Sequence, residues 1–161
     1  MEAWESRPIE IKNLLNPAFC GELLLNTMTS YQVTAKKNFP FALSFLTLPI
    51  ILHASTRHTI PIKQDMYSWI QENPGIKIGF ADRTKQLVPY TKEALSFLLQ
   101  KGYIIFDNEG NLAPVKSLKT RKKQTVTNEV NDCIKMSIIL GRKFARSGSV
   151  NVTYAMWGVM P

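Results

Sequence analysis

The sequence predicts an α+β fold: mostly helical, with a winged helix-turn-helix-like core, a β-hairpin wing and a C-terminal strand. Three observations carry this reading. Apolar residues recur at helical spacing over most of the chain, an Asn/Gly-rich turn separates two short aromatic and β-branched runs, and the tail alternates apolar with polar. With 161 residues, 45% hydrophobic and 20% charged, the chain is sized for a single domain. Its parts are an N-terminal helical part (1–60), a winged-helix-like part (61–115) and a basic linker, helix and C-terminal strand (116–161).

The first helix is expected from about Pro17 to Ala35. Asn16 stands as N-cap and Pro17 at the first helical position, while Phe19, Leu23, Met28 and Tyr31 share one side. Cys20, Leu24 and Thr27 crowd the neighbouring face, so this helix should be buried on two sides as the spine of the fold. Phe41 to Leu52 is apolar nearly all round, shortened or kinked by Pro49. The polar stretch His53 to Thr59 reads as a loop. Met66, Trp69 and Ile70 make Asp65 to Glu72 a short amphipathic helix, stopped by Asn73-Pro74-Gly75.

A second short helix is expected over Ile76 to Val88, ended by Pro89, and a third from Thr91, whose hydroxyl can cap the following amides, to Lys101 with Gly102 as C-cap. Tyr103 to Phe106 and Leu112 to Val115 flank Asp107-Asn108-Glu109-Gly110-Asn111 as a hairpin. Three short helices followed by a hairpin is the order of a winged helix, with Thr91 to Lys101 in the recognition position. That helix offers Lys92, Glu93, Ser96 and Gln100, a nearly neutral face poorly suited to reading base edges. Thr127 then opens an amphipathic helix to about Ala145, along Val130, Cys133, Ile134, Ser137, Ile138 and Gly141. In the tail, Val150, Val152, Tyr154 and Met156 alternate with Asn151, Thr153, Ala155 and Trp157 as in a strand.

Charge is concentrated at one end. Residues 1–115 hold 11 Lys and Arg against 10 Asp and Glu, whereas 116–161 hold 9 against 2, so nearly all of the net charge of +8 sits in the last third. A polyanion or an acidic protein surface is the expected partner. Lys116, Lys119, Arg121, Lys122 and Lys123 fall within eight positions and could track the phosphates of a double-stranded DNA backbone without reading its sequence. A solvated linker explains the same run, and a helix C-terminus favours cations such as Arg142, Lys143 and Arg146 without any ligand.

No catalytic set assembles. His53 and His58 are the only histidines and share one polar segment, Cys20 and Cys133 stand far apart, and no Gly-Lys-Ser/Thr follows Gly75 or Gly79. Neither an enzyme activity nor a metal or other cofactor is expected. Glu2, Glu5 and Glu10 against Arg7 do not make a secretory start, the greasiest run is too short to span a bilayer, and two unpaired thiols suit a reducing compartment. The expectation is a cytoplasmic protein without a membrane span.

Three stretches are familiar together: Asn16-Pro17 through Leu25; Phe45-Leu46-Thr47-Leu48-Pro49-Ile50-Ile51-Leu52-His53 with Arg57 downstream; and Leu140-Gly141-Arg142-Lys143-Phe144-Ala145-Arg146 with Tyr154-Ala155-Met156-Trp157-Gly158-Val159. They resemble the middle component of bacterial three-component ABC systems, the small subunit of Lamassu-type antiphage and antiplasmid defence. The resemblance implies an accessory subunit beside an SMC-like ABC ATPase and an effector, commonly a nuclease. It also offers a subunit contact as cover for the apolar run Phe41 to Leu52. Arg57, Arg142, Arg146, Tyr154 and Trp157 are the expected partner interface, since aromatic residues and arginines dominate binding energy at interfaces. For the aromatic pair a second reading stays open, in which the tail joins the hairpin and Trp157 caps the core. The alternative function is a free-standing winged-helix DNA-binding transcriptional regulator.

Overall fold

Asn16 does open the first helix. Its Oδ1 accepts the Ala18 amide at 2.8 Å, Pro17 occupies the first position, and α1 runs over Pro17–Ala35, ending at Lys36 with φ 57°. The computed structural model describes residues 8, 15–116 and 127–161. Cys20, Leu23, Leu24, Leu25, Thr27, Met28 and Tyr31 are all buried along α1, so this helix is covered on two sides. It packs chiefly against α6 (Asn128–Arg146) and α5 (Phe80–Gln100).

A 3-10 turn over Phe41–Leu43 leads into α2 (Ser44–Ile51). This segment is apolar all round because it lies among α1, α5 and α6. The cover that the resemblance assigned to a subunit contact therefore comes largely from the chain itself. The polar stretch after it is not a loop throughout: Ala54–Arg57 forms one helical turn, α3. Asp65 caps α4 (Met66–Glu72), its Oδ1 accepting the Ser68 amide at 2.9 Å.

The expected second and third short helices are one. After a 3-10 turn at Pro74–Lys77 and Gly79 at φ 66°, α5 runs unbroken from Phe80 to Gln100 through Pro89. Pro89 lies on the exposed face, where water can take up the hydrogen bond that its missing N–H leaves unmade one turn earlier. Thr91 is consequently no cap. It sits buried in mid-helix, with no hydrogen-bond partner for Oγ1 among the described residues.

The hairpin is as expected. β1 (Ile104–Phe106) and β2 (Leu112–Pro114) pair antiparallel, Ile104 opposite Pro114 and Phe106 opposite Leu112. Asp107 Oδ1 accepts the amides of Glu109 and Asn111 at 2.9 and 2.8 Å, and Gly110 supplies the φ of 78° that closes the turn. The free edge of β2 is taken by Phe39, which exchanges two backbone hydrogen bonds with Leu112 at 2.9 and 2.8 Å.

The C-terminal strand is a correction: Val150–Met156 is helix α7, with Ser149 as its N-cap. Period two and period 3.6 both fit so short a segment. Burial decides for the helix, because the side chains turned inward are Thr153, Tyr154 and Trp157, spaced as on a helix face.

Candidate functional site

The site grows from α6. Thr127 caps it, its Oγ1 accepting the Val130 amide at 3.4 Å, and Cys133, Ser137, Leu140, Gly141 and Phe144 form the buried stripe. Gly141 is the point of closest approach to α1. A Cβ there would lie 2.2 Å from the Thr27 carbonyl oxygen and 2.9 Å from Ser30 Cβ. Two hydroxyls of α1 reach across the crossing: Thr27 Oγ1 shares its hydrogen between the Leu23 carbonyl of its own helix at 2.9 Å and the Ser137 carbonyl at 3.1 Å, and Ser30 Oγ donates to the Ile138 carbonyl at 2.7 Å.

A cation of α6 is buried as well, on the side turned away from that crossing. Lys143 is 4% exposed, donates a hydrogen bond to the Gln64 carbonyl and holds its ammonium 6.0 Å from the Trp69 ring centroid. Burial pushes its pKa below the ordinary lysine value; Asp65 nearby opposes that shift and Arg146 reinforces it. Around it lies a recess of about 400 Å³ whose charged lining is Lys63, Asp65, Arg142, Lys143 and Arg146, with Ile62 and Ile139 as apolar walls. Arg142 and Arg146 are exposed. Sequence reading placed the two arginines at the expected interface, named Lys143 only as a cation at the helix C-terminus, and passed over Lys63. The one available signal was a lysine flanked by Ile139, Leu140 and Phe144 on a helix whose apolar face should be inside.

Arg57 is also inside, 2% exposed. Nε donates to Asp132 Oδ2 at 2.7 Å, Nη2 to Glu129 Oε1 at 3.2 Å and Nη1 to the Ile51 carbonyl at 2.8 Å, so one guanidinium joins α2, α3 and α6. Burial works against its charge, and the two carboxylates more than offset it, raising its pKa above the ordinary value.

Tyr154 and Trp157 belong to the chain's own core, at 4% and 1% exposed. Tyr154 donates its hydroxyl hydrogen to the Ala42 carbonyl at 2.6 Å. Trp157 stacks on Phe80 with centroids 4.4 Å apart and meets Trp69 edge-on at 5.4 Å. Both brace the tail rather than face outward. The five expected interface residues thus divide into three internal ones and two, Arg142 and Arg146, on the surface of the recess.

Of the basic run, Lys116 is exposed at the end of the hairpin. Lys119, Arg121, Lys122 and Lys123 lie outside the described residues. Over Thr91 to Gln100 the outward positions of α5 are Lys92, Ser96 and Gln100, with Glu93 half-buried beside them. Among the described residues no cluster of three or more His, Cys, Asp or Glu could hold a metal ion, and no helix is long and apolar enough to cross a membrane.

No curated protein and no solved structure matches the chain. The family described as ABC-three component (ABC-3C) system Middle Component 3 does match, over residues 4–161, and with nearly the whole sequence inside that match the chain belongs to this family.

Proposed function

We propose that this middle component is a noncatalytic accessory subunit that couples an SMC-like ABC ATPase to an effector, a nuclease, in an antiphage or antiplasmid defence complex. The observation that carries the reading is the family match over residues 4–161, since a middle component implies partner components in a multi-subunit system. In this reading the hairpin after α5 serves as the wing of a winged-helix-like scaffold, and Lys116 to Lys123 touches DNA backbone without reading sequence. The near-neutral outward face of α5 weighs against the regulator alternative, because base recognition needs side chains that reach donors and acceptors in the groove.

Co-expression with the other components of its system, followed by size-exclusion chromatography, tests the assignment. The expected result is co-elution with the ATPase, with ATP or DNA turnover only in fractions that contain the other components. Turnover by the purified chain, abolished by one substitution in it, would overturn the noncatalytic reading. For the DNA contact, changing Lys119, Arg121, Lys122 and Lys123 to Glu should leave assembly intact, weaken DNA binding for all sequences alike and flatten its salt dependence. Unchanged affinity and salt slope would make the run a solvated linker.

A further inference from the structure

We infer that the recess at the C-terminal end of α6 receives an acidic side chain from a partner polypeptide, and that Lys143 is the buried cation this side chain neutralises. The inference rests on the reading that the chain assembles with partner components.

The argument starts from two buried cations treated differently. Arg57, 2% exposed, has two carboxylates and a carbonyl. Lys143, 4% exposed, has the neutral Gln64 carbonyl, and among the described residues no ion pair joins Lys143, Lys63, Arg142 or Arg146 to a carboxylate. The one carboxylate of the lining, Asp65, is occupied as the cap of α4, accepting the Ser68 amide at 2.9 Å and the Ser68 hydroxyl at 2.8 Å. Four cations therefore share one carboxylate, Asp65, around a recess of about 400 Å³. The negative end of the α6 macrodipole, roughly half an elementary charge, does not balance them. The Asp65 carboxylate near Lys143 is exposed and caps α4 as well, so it offsets only part of what burying the ammonium costs the subunit alone, and an incoming carboxylate lowers the remainder.

Shape and lining select the occupant. Lys143 lies too deep for the broad convex backbone of a DNA duplex, which would stop at the exposed Arg142 and Arg146. A single carboxylate on a flexible side chain can enter. The apolar walls Ile62 and Ile139 suit the methylenes and neighbours of a polypeptide better than they suit bare inorganic phosphate.

The test uses the full chain as wild type, Lys143→Met and Lys143→Arg, each melted alone and then titrated against the other components of its system. Lys143→Met should melt at the wild-type temperature or higher, because it removes a buried charge that Asp65 offsets only in part while keeping the stem. It should nonetheless assemble about 30-fold or more weakly, and Lys143→Arg should retain assembly. A hexaglutamate peptide should compete with wild-type assembly and not with what remains in Lys143→Met.

Wild-type assembly by Lys143→Met would overturn the inference, as would a lowered melting temperature of Lys143→Met alone, which would make Lys143 a tether for the Gln64 carbonyl. Competition by inorganic phosphate or a short DNA duplex, but not by hexaglutamate, would overturn it in favour of a phosphate ligand. Changing Glu2, Glu5 and Glu10 to Gln tests the chain's own acidic start. A fall in melting temperature in the wild-type but not the Lys143→Met background would place the occupant within this chain and overturn the partner assignment. Failure of the wild type to assemble at all would overturn the adaptor reading itself, an outcome distinct from a defect confined to Lys143→Met.

Discussion

Replacing Gly141 by Ala adds one methyl group at the crossing of α1 and α6. Its carbon would sit 2.2 Å from the Thr27 carbonyl oxygen, where ordinary contact begins near 3.4 Å, so the helices must part by about 1 Å or rotate. The atom in the way is backbone and cannot swing aside. Overpacking of this kind costs about 1–3 kcal/mol. Parting the helices also stretches the Thr27 and Ser30 hydrogen bonds to α6, each worth about 1 kcal/mol. Against this, Ala is a better helix former than Gly by about 1 kcal/mol. The balance is a loss of roughly 2–4 kcal/mol, or a melting temperature lowered by about 5–15 °C for a chain of this size. Thermal denaturation followed by circular dichroism measures it, with Gly75→Ala as control, since nothing lies within 4 Å of a Cβ at Gly75. A Gly141→Ala protein that melts with the wild type would refute the claim that this crossing sets the spacing of the two helices.

Arg57→Met should lower stability by about 2–3 kcal/mol in urea denaturation, less than for a fully enclosed pair, because Glu129 and Asp132 are 66% and 32% exposed and stay partly hydrated. Trp157→Ala should cost about 3–5 kcal/mol, and deletion of Val150 to Pro161 should give a chain that aggregates on expression; a folded, soluble truncation would contradict the core role of α7. Tyr154→Phe should cost about 1 kcal/mol by removing the hydroxyl donor to Ala42, read as a shift in the urea midpoint. Burial and the nearby Arg83 lower the His53 pKa from its ordinary 6.5, so the unfolded chain binds that proton more readily. This contribution to stability is complete above about pH 6.5 and lost as pH falls through the folded-state value; His53→Gln should flatten that part of the stability profile, measured by urea titration between pH 7 and pH 5.

Where local chemistry is decisive, sequence reading located the elements. Asn16-Pro17, Asp65 and Thr127 mark helix starts because each orphaned amide needs an acceptor within three residues, and Asp107 to Asn111 marks the hairpin because Gly110 must take a positive φ. Where two local rules competed, it did not. Pro89 looked like a helix end until α5 was seen to turn it to solvent, and Val150 to Trp157 satisfied strand and helix periods equally until Trp69 and Phe80 showed which face is covered. Legibility of the candidate site divides in the same way. Arg142 and Arg146 can be read as cations on an outer helix face, and the charge of the last third can be counted. The burial of Lys143 cannot be read this way, because it depends on a carbonyl at Gln64, 79 residues away in sequence, and on the Trp69 ring. Charge and capping are properties of a residue and its near neighbours, which the sequence carries; desolvation and the pairing of a buried charge depend on which distant segments share its space, and only the packed tertiary structure decides those.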